Sequence, residues 1–275
     1  MMRSGEKNIF DDGRTKVAGI LNLTPDSFSD GGLYEKEGVL NRVERMTEEG
    51  ADMIDIGAES TRPGARIVTA DEEIARLIPA LKEIRKHTDM YISVDTYKPE
   101  VARAALDAGA DMINDVSGLG FGGEEMAKLA AEYKAPIILM YNKAYHQEPA
   151  SQEELTAHIN SALFDAAQKA LKAGVAEANI VIDPGVGFAG GTENDLTILR
   201  DLEDICSWGW PVMLGCSRKS VIGNTLNLPV DQREEATVVT SILGALAGCA
   251  IVRVHNVRAN RQALDMLSVI RHNAY

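Results

Sequence analysis

The chain has 275 residues, 45% hydrophobic and 25% charged, a balance that excludes disordered and collagen-like chains. A formal net charge of -13 argues against general binding to nucleic acid or to an anionic membrane, so an anionic ligand would need a local cluster of cations. The uncharged apolar runs are too short to span a bilayer, Met1 to Asp12 lacks a signal-peptide core, and Cys206, Cys216 and Cys249 lack metal-ligand spacing; a cytoplasmic protein with reduced thiols is expected.

A short apolar run, Val17 to Leu23, reads as the first strand. A helical pattern then ends at Gly50, and Ala-Asp-Met-Ile-Asp55 follows as the second. The helix predicted over Glu72 to Lys86 leads to a strand at Tyr91 to Val94. Gly109-Ala-Asp-Met-Ile-Asn114 repeats the helix-end glycine and strand, and Ile137 to Met140 makes the fifth strand. The helix at Gln152 to Lys172 runs to Gly174, ahead of Ile180-Val-Ile-Asp183. Val212 to Leu214 and Gly248-Cys-Ala-Ile-Val-Arg253 complete the series. Glycine just past a helix fits a left-handed cap, and short apolar runs fit buried parallel strands. Eight such units predict an α/β fold of the (β/α)8 TIM-barrel class, a single domain over 1–275 with an N-terminal extension at 1–14. The competing doubly wound sheet would carry Gly-x-Gly-x-x-Gly after a strand; Gly185-Val-Gly187-Phe-Ala-Gly190 has the wrong spacing.

In a barrel of this kind the C-terminal strand ends converge on one mouth. Here those ends are Asn22, Asp55, Asp95, Asn114, Asp183, Ser217-Arg218-Lys219, and Arg253 with His255. Any single Asp or Asn could instead cap the next helix, but capping would not call for Arg, Lys and His at the last two strands. Asp95, Asn114 and Asp183 suit a flat heterocycle with adjacent N–H donors, because a carboxylate forks onto an amidine-like edge. Arg62, Arg253 and His255 supply cationic donors for a phosphate, near the start of the last helix. Two long loops, Asn22 to Gly32 and Gly57 to Gly64, read as binding loops rather than plain connections.

Asn22-Leu-Thr-Pro-Asp-Ser-Phe-Ser-Asp-Gly-Gly, Ser93-Val-Asp-Thr, Ile113-Asn-Asp-Val, Asp183-Pro-Gly, Ser217-Arg-Lys-Ser220 and Arg253-Val-His255 together resemble the dihydropteroate synthase family, in that family's order. The resemblance implies a folate-biosynthetic transferase, a target of sulfonamides. Such an enzyme condenses 4-aminobenzoate with 6-hydroxymethyl-7,8-dihydropterin diphosphate, giving 7,8-dihydropteroate and diphosphate. It implies Asp95, Asn114, Asp183 and Lys219 around the pterin, and Thr61, Arg62, Arg253 and His255 on the diphosphate. It also implies Pro25, Phe28, Pro63, Phe188 and Ser220 around the aminobenzoate. Asn22 would ligate Mg2+, and the enzyme would be a cytoplasmic homodimer. Asp95, Asp183, Lys219, Arg253 and His255 would be the catalytic set.

The chain departs from the family's usual pattern at Tyr141-Asn142, Gly187-Phe-Ala-Gly190, Asp195, Ala236-Thr237 and Asn256. None of these removes a residue with an assigned role, but they alter the rim after the fifth and sixth strands. Two alternatives follow. One is a diverged paralogue that only binds pterin. The other is a pterin-dependent methyltransferase, which would need neither the diphosphate cations nor Ser217-Arg-Lys-Ser220.

Overall fold

The computed structural model describes residues 12–23, 36–59, 66–146, 151 and 153–272. Strands β1 (Lys16–Asn22), β2 (Met53–Gly57), β3 (Tyr91–Asp95), β4 (Met112–Asp115), β5 (Ile137–Met140), β6 (Ile180–Asp183), β7 (Met213–Leu214) and β8 (Ile251–Val254) form one sheet in the order β6-β5-β4-β3-β2-β1-β8-β7. Every pairing is parallel, and a parallel bridge between Ile182 and Val212 joins the two edge strands. The sheet is therefore a barrel, as the strand count predicted.

Helices α1 (Lys36–Glu48), α2 (Ala70–His87), α3 (Pro99–Ala108), α4 (Gly123–Tyr133), α5 (Leu155–Lys172), α6 (Thr192–Arg200), α7 (Leu202–Cys206), α8 (Ser220–Leu226), α9 (Glu234–Ala247) and α10 (Val257–His272) follow the strands, singly except for α6 with α7 after β6 and α8 with α9 after β7. Leu77, Leu81 and Ile84 recur at helical spacing on α2, and Leu155, Ile159 and Leu163 do so on α5; both rows are buried against the sheet's outer face. Gly50, Gly109, Gly174 and Gly248 all adopt positive φ, the left-handed conformation expected of a glycine that ends a helix.

Inside the barrel, side chains alternate with the pleat. Ala18, Met53, Met112, Ile138, Val181, Met213 and Ile251 make an apolar floor, and β3 adds the partly buried Tyr91. Two residues further along their strands stand Asp55, Ser93, Asn114, Asp183 and Arg253, and four further along stand Asp95 and His255. One turn of the pleat thus converts a dry floor into a charged ceiling.

Candidate active site

Arg253 ties the ceiling together. Its Nε donates to Asp55 Oδ2 at 2.5 Å and its Nη2 to Asp95 Oδ2 at 2.7 Å. Ser93 Oγ donates to the other oxygen of Asp55, and Asn114 Nδ2 to Asp55 Oδ2 at 3.2 Å. Both oxygens of Asp55 are thereby bonded. Asp95 Oδ1 and Asn114 Oδ1, by contrast, are buried without a hydrogen-bond partner. Orphaned acceptors of this kind are rare in proteins because each forfeits its hydration, and two side by side mark a place for a ligand's donors. Burial pushes Asp95 up to about 7, with the Arg253 cation opposing it and Asp55 adding to it.

Asp183 ends β6, two strands along from Asn114 on β4. Its Oδ1 accepts the Gly185 N–H at 2.8 Å. That turn needs glycine: φ is +76°, and a Cβ on Gly185 would lie 1.9 Å from Tyr141 O. Burial raises Asp183, and the nearby Lys219 ammonium opposes the shift. Lys219 is itself lowered by burial, with Asp183 pulling the other way. Its Nζ donates to Val186 O at 2.5 Å and stands 4.9 Å from the Phe188 ring centroid. The turn that delivers it carries Arg218 at φ +57°, held by its N–H on Thr237 Oγ1 at 3.1 Å and its guanidinium on Glu234.

At the end of β8, His255 Nδ1 lies 2.9 Å from Ser217 Oγ, and Arg42 Nη2 donates to His255 O at 3.1 Å. Past Lys219 opens a cavity of about 450 Å³, lined among others by Lys143, Phe188, Ser220 and Asn224. The structure therefore brings Phe188 and Ser220 together in one space, next to Lys219. The unusual rim residues lie here too. Asn142 lines the cavity and donates to Val116 O at 3.1 Å, and Asp195 Oδ1 accepts the Gly187 N–H at 2.7 Å. Asn22 ends β1 opposite Gly57, at the same mouth. Pro25, Phe28, Thr61, Arg62 and Pro63 lie outside the described residues.

Sequence reasoning gave no separate role to Asp55, Ser93 or Ser217. Asp55 and Ser93 share the period-2 face of Met53 and Asp95, which is the signal that could have found them. Ser217 was legible as a strand end but its hydrogen bond to His255 was not, and no local pattern announces Arg42.

Among the described residues no three His, Cys, Asp or Glu side chains are grouped to hold a metal. Asn22, at the end of β1, carries a carboxamide oxygen, a hard neutral donor. That donor suits magnesium, which keeps most of its waters and takes further oxygens from a phosphate substrate.

Comparison with known proteins places this geometry. A model of the pterin binding enzyme family matches residues 18–255. The chain is 47% identical over 261 residues to a dihydropteroate synthase of Streptococcus pyogenes, covering 94% of this chain and 96% of that protein. A crystal structure of the Xanthomonas albilineans dihydropteroate synthase with 4-aminobenzoic acid is 39% identical, with a TM-score of 0.88 and 94% of each chain covered. A Clostridium difficile dihydropteroate synthase in the presence of pteroic acid is also 39% identical, with a TM-score of 0.88, covering 98% of this chain and 99% of that one.

Proposed function

The chain belongs to the pterin binding enzyme family, and within it to the dihydropteroate synthases; on that premise we propose that it joins 4-aminobenzoate to 6-hydroxymethyl-7,8-dihydropterin diphosphate, releasing diphosphate. One observation carries the reading of the site: the orphaned, buried acceptors Asp95 Oδ1 and Asn114 Oδ1, with the buried carboxylate of Asp183 ending another strand of the same mouth. An aminated pterin edge supplies the donors they lack.

The chemistry follows from charge. Asp95 and Asp183 accept ring N–H donors and favour the positive charge that the ring shares as the exocyclic C–O bond lengthens. Arg253 bridges to the diphosphate side, where His255, Thr61 and Arg62 take the leaving group. Lys219, between Asp183 and Phe188, separates the ring clamp from the cavity that receives 4-aminobenzoate at Phe188 and Ser220, with Pro25, Phe28 and Pro63. Excluding water from that cavity keeps the aromatic amine as the acceptor of the pterin methylene. Magnesium, held by Asn22 and the diphosphate, would supply charge neutralisation of the leaving group.

Diphosphate release from the pterin substrate, followed with and without 4-aminobenzoate, tests the activity. Release that depends on 4-aminobenzoate and yields dihydropteroate is expected. A chain that binds pterin but releases no diphosphate would be the diverged paralogue.

Asp95 also makes binding pH-dependent. In the empty site its folded-state value is raised to about 7, so below that pH the carboxyl carries a proton and loses its role as acceptor. Dihydropteroate affinity should therefore rise about tenfold per pH unit up to about 7 and level off above it. Calorimetry between pH 5.5 and 8.5 measures this; Asp95→Asn should bind weakly with a flat profile.

We also assign a homodimer. Val239, Leu243 and Leu246 recur at helical spacing on α9, and Met266 and Ile270 on the adjoining α10; all five are exposed. Charging such a stripe should split the pair, so Leu243→Glu with Leu246→Glu is expected to halve the mass in light scattering. We also assign the chain to the cytoplasm, on its three cysteines, odd in number and without metal-ligand spacing.

A further inference from the structure

Behind the mouth, three ionisable side chains are buried where the reaction makes no use of them. Glu59, Glu73 and Lys98 are 8%, 0% and 5% exposed. Lys98 Nζ donates to Glu59 Oε2 at 2.5 Å and to Glu73 Oε2 at 2.7 Å. Glu59 Oε1 accepts the Val68 N–H at 2.9 Å and the Tyr97 hydroxyl at 3.2 Å. Glu73 Oε1 has no partner, and burial raises the Glu73 carboxyl. A proton on Glu73 leaves one ammonium facing one carboxylate, a neutral cluster.

Ion clusters this deep rarely add stability over an apolar substitute, because desolvation offsets the attraction. The placement of this one points to geometry instead. Glu59 follows β2 by two residues, Val68 precedes the Thr69 cap of α2, and Lys98 caps α3, three residues past Asp95. One carboxylate therefore ties the chain where it leaves β2 to the chain where it enters α2, and Lys98 fixes that carboxylate to the end of β3. Thr61 and Arg62 fall between the two tied ends in the sequence.

We propose that Lys98, acting through Glu59, is a positioning residue for the diphosphate half of the site, setting where the chain on either side of residues 60–67 departs from and rejoins the barrel without itself touching substrate. This rests on the proposed assignment of Thr61 and Arg62 to the diphosphate.

The test compares affinities for the pterin diphosphate substrate and for dihydropteroate, which has no diphosphate, alongside thermal stability. Lys98→Met should weaken the diphosphate ligand at least about tenfold and change dihydropteroate by no more than about twofold. That variant also leaves Glu59 buried without its counter-charge and can fail to fold. The double variant Lys98→Met with Glu59→Gln removes both charges. It should regain most of the wild-type stability while the diphosphate affinity stays low. If both ligands weaken in proportion, or if diphosphate affinity returns together with stability, the cluster is structural only and the inference is overturned. If the wild type binds the pterin diphosphate no better than the same pterin alcohol without its diphosphate, the diphosphate reading itself falls, and this inference with it.

Discussion

Asp183→Asn is expected to weaken pterin binding roughly 10- to 150-fold in a protein that still folds, the cost of one charge-assisted hydrogen bond at about 1.5–3 kcal/mol. The direction follows from what each oxygen touches. Oδ1 accepts the Gly185 N–H, and this bond shapes the turn after β6. An asparagine keeps it by placing its carbonyl there, which leaves the fold intact. Its amide nitrogen must then occupy the other position, which in Asp183 is an acceptor facing the pocket and Lys219. Donor would meet donor at the ring edge. The Lys219 ammonium, already disfavoured by burial, would also lose its nearest compensating charge. Calorimetry on a variant whose melting temperature is unchanged checks the effect; an unaltered pterin affinity would remove Asp183 from the clamp.

Most of the barrel was legible because its strands are buried on both faces and so read as short apolar runs, all but the first following a helix. β7, predicted over Val212 to Leu214, is strand only at Met213–Leu214, with Val212 reached by a bridge. The four glycine stops were legible for a backbone reason: a left-handed cap tolerates little else. Site residues could be found when they ended a strand, since period 2 places Asp95, Asn114, Asp183 and Arg253 on the inner face. Their mutual contacts could not. That Arg253 reaches from β8 to Asp55 on β2 and Asp95 on β3 depends on barrel closure, which no spacing encodes. Lys98 lies in no motif, and Glu59 falls within the predicted loop Gly57 to Gly64. Their pairing with Glu73 joins three segments and becomes visible only once those segments are packed.

The Arg253 contacts change what its removal should do. A residue that served the diphosphate alone could be replaced with little effect on the fold or on pterin. Here its guanidinium separates Asp55 and Asp95, which are 1% and 6% exposed. Arg253→Ala leaves two buried carboxylates facing each other, and breaking a buried pair in this way costs about 3–5 kcal/mol. The carboxylates can escape part of that cost by taking up protons. Asp95 already sits near 7 with the cation beside it, and it must rise further without it. A carboxyl whose folded-state value lies above its unfolded one loses stability as pH rises between the two. The deficit of the variant should therefore be largest above about pH 7 and shrink toward pH 5. Each kcal/mol of that deficit lowers the melting temperature by roughly 2–4 °C. At neutral pH the protonated Asp95 would also cease to accept the ring's N–H groups, so dihydropteroate and the diphosphate substrate should both weaken. Thermal melts across this pH range, paired with calorimetry on both ligands, decide the matter. A deficit independent of pH, together with a loss confined to the diphosphate ligand, would show that the ring-side contacts of Arg253 contribute nothing to the clamp.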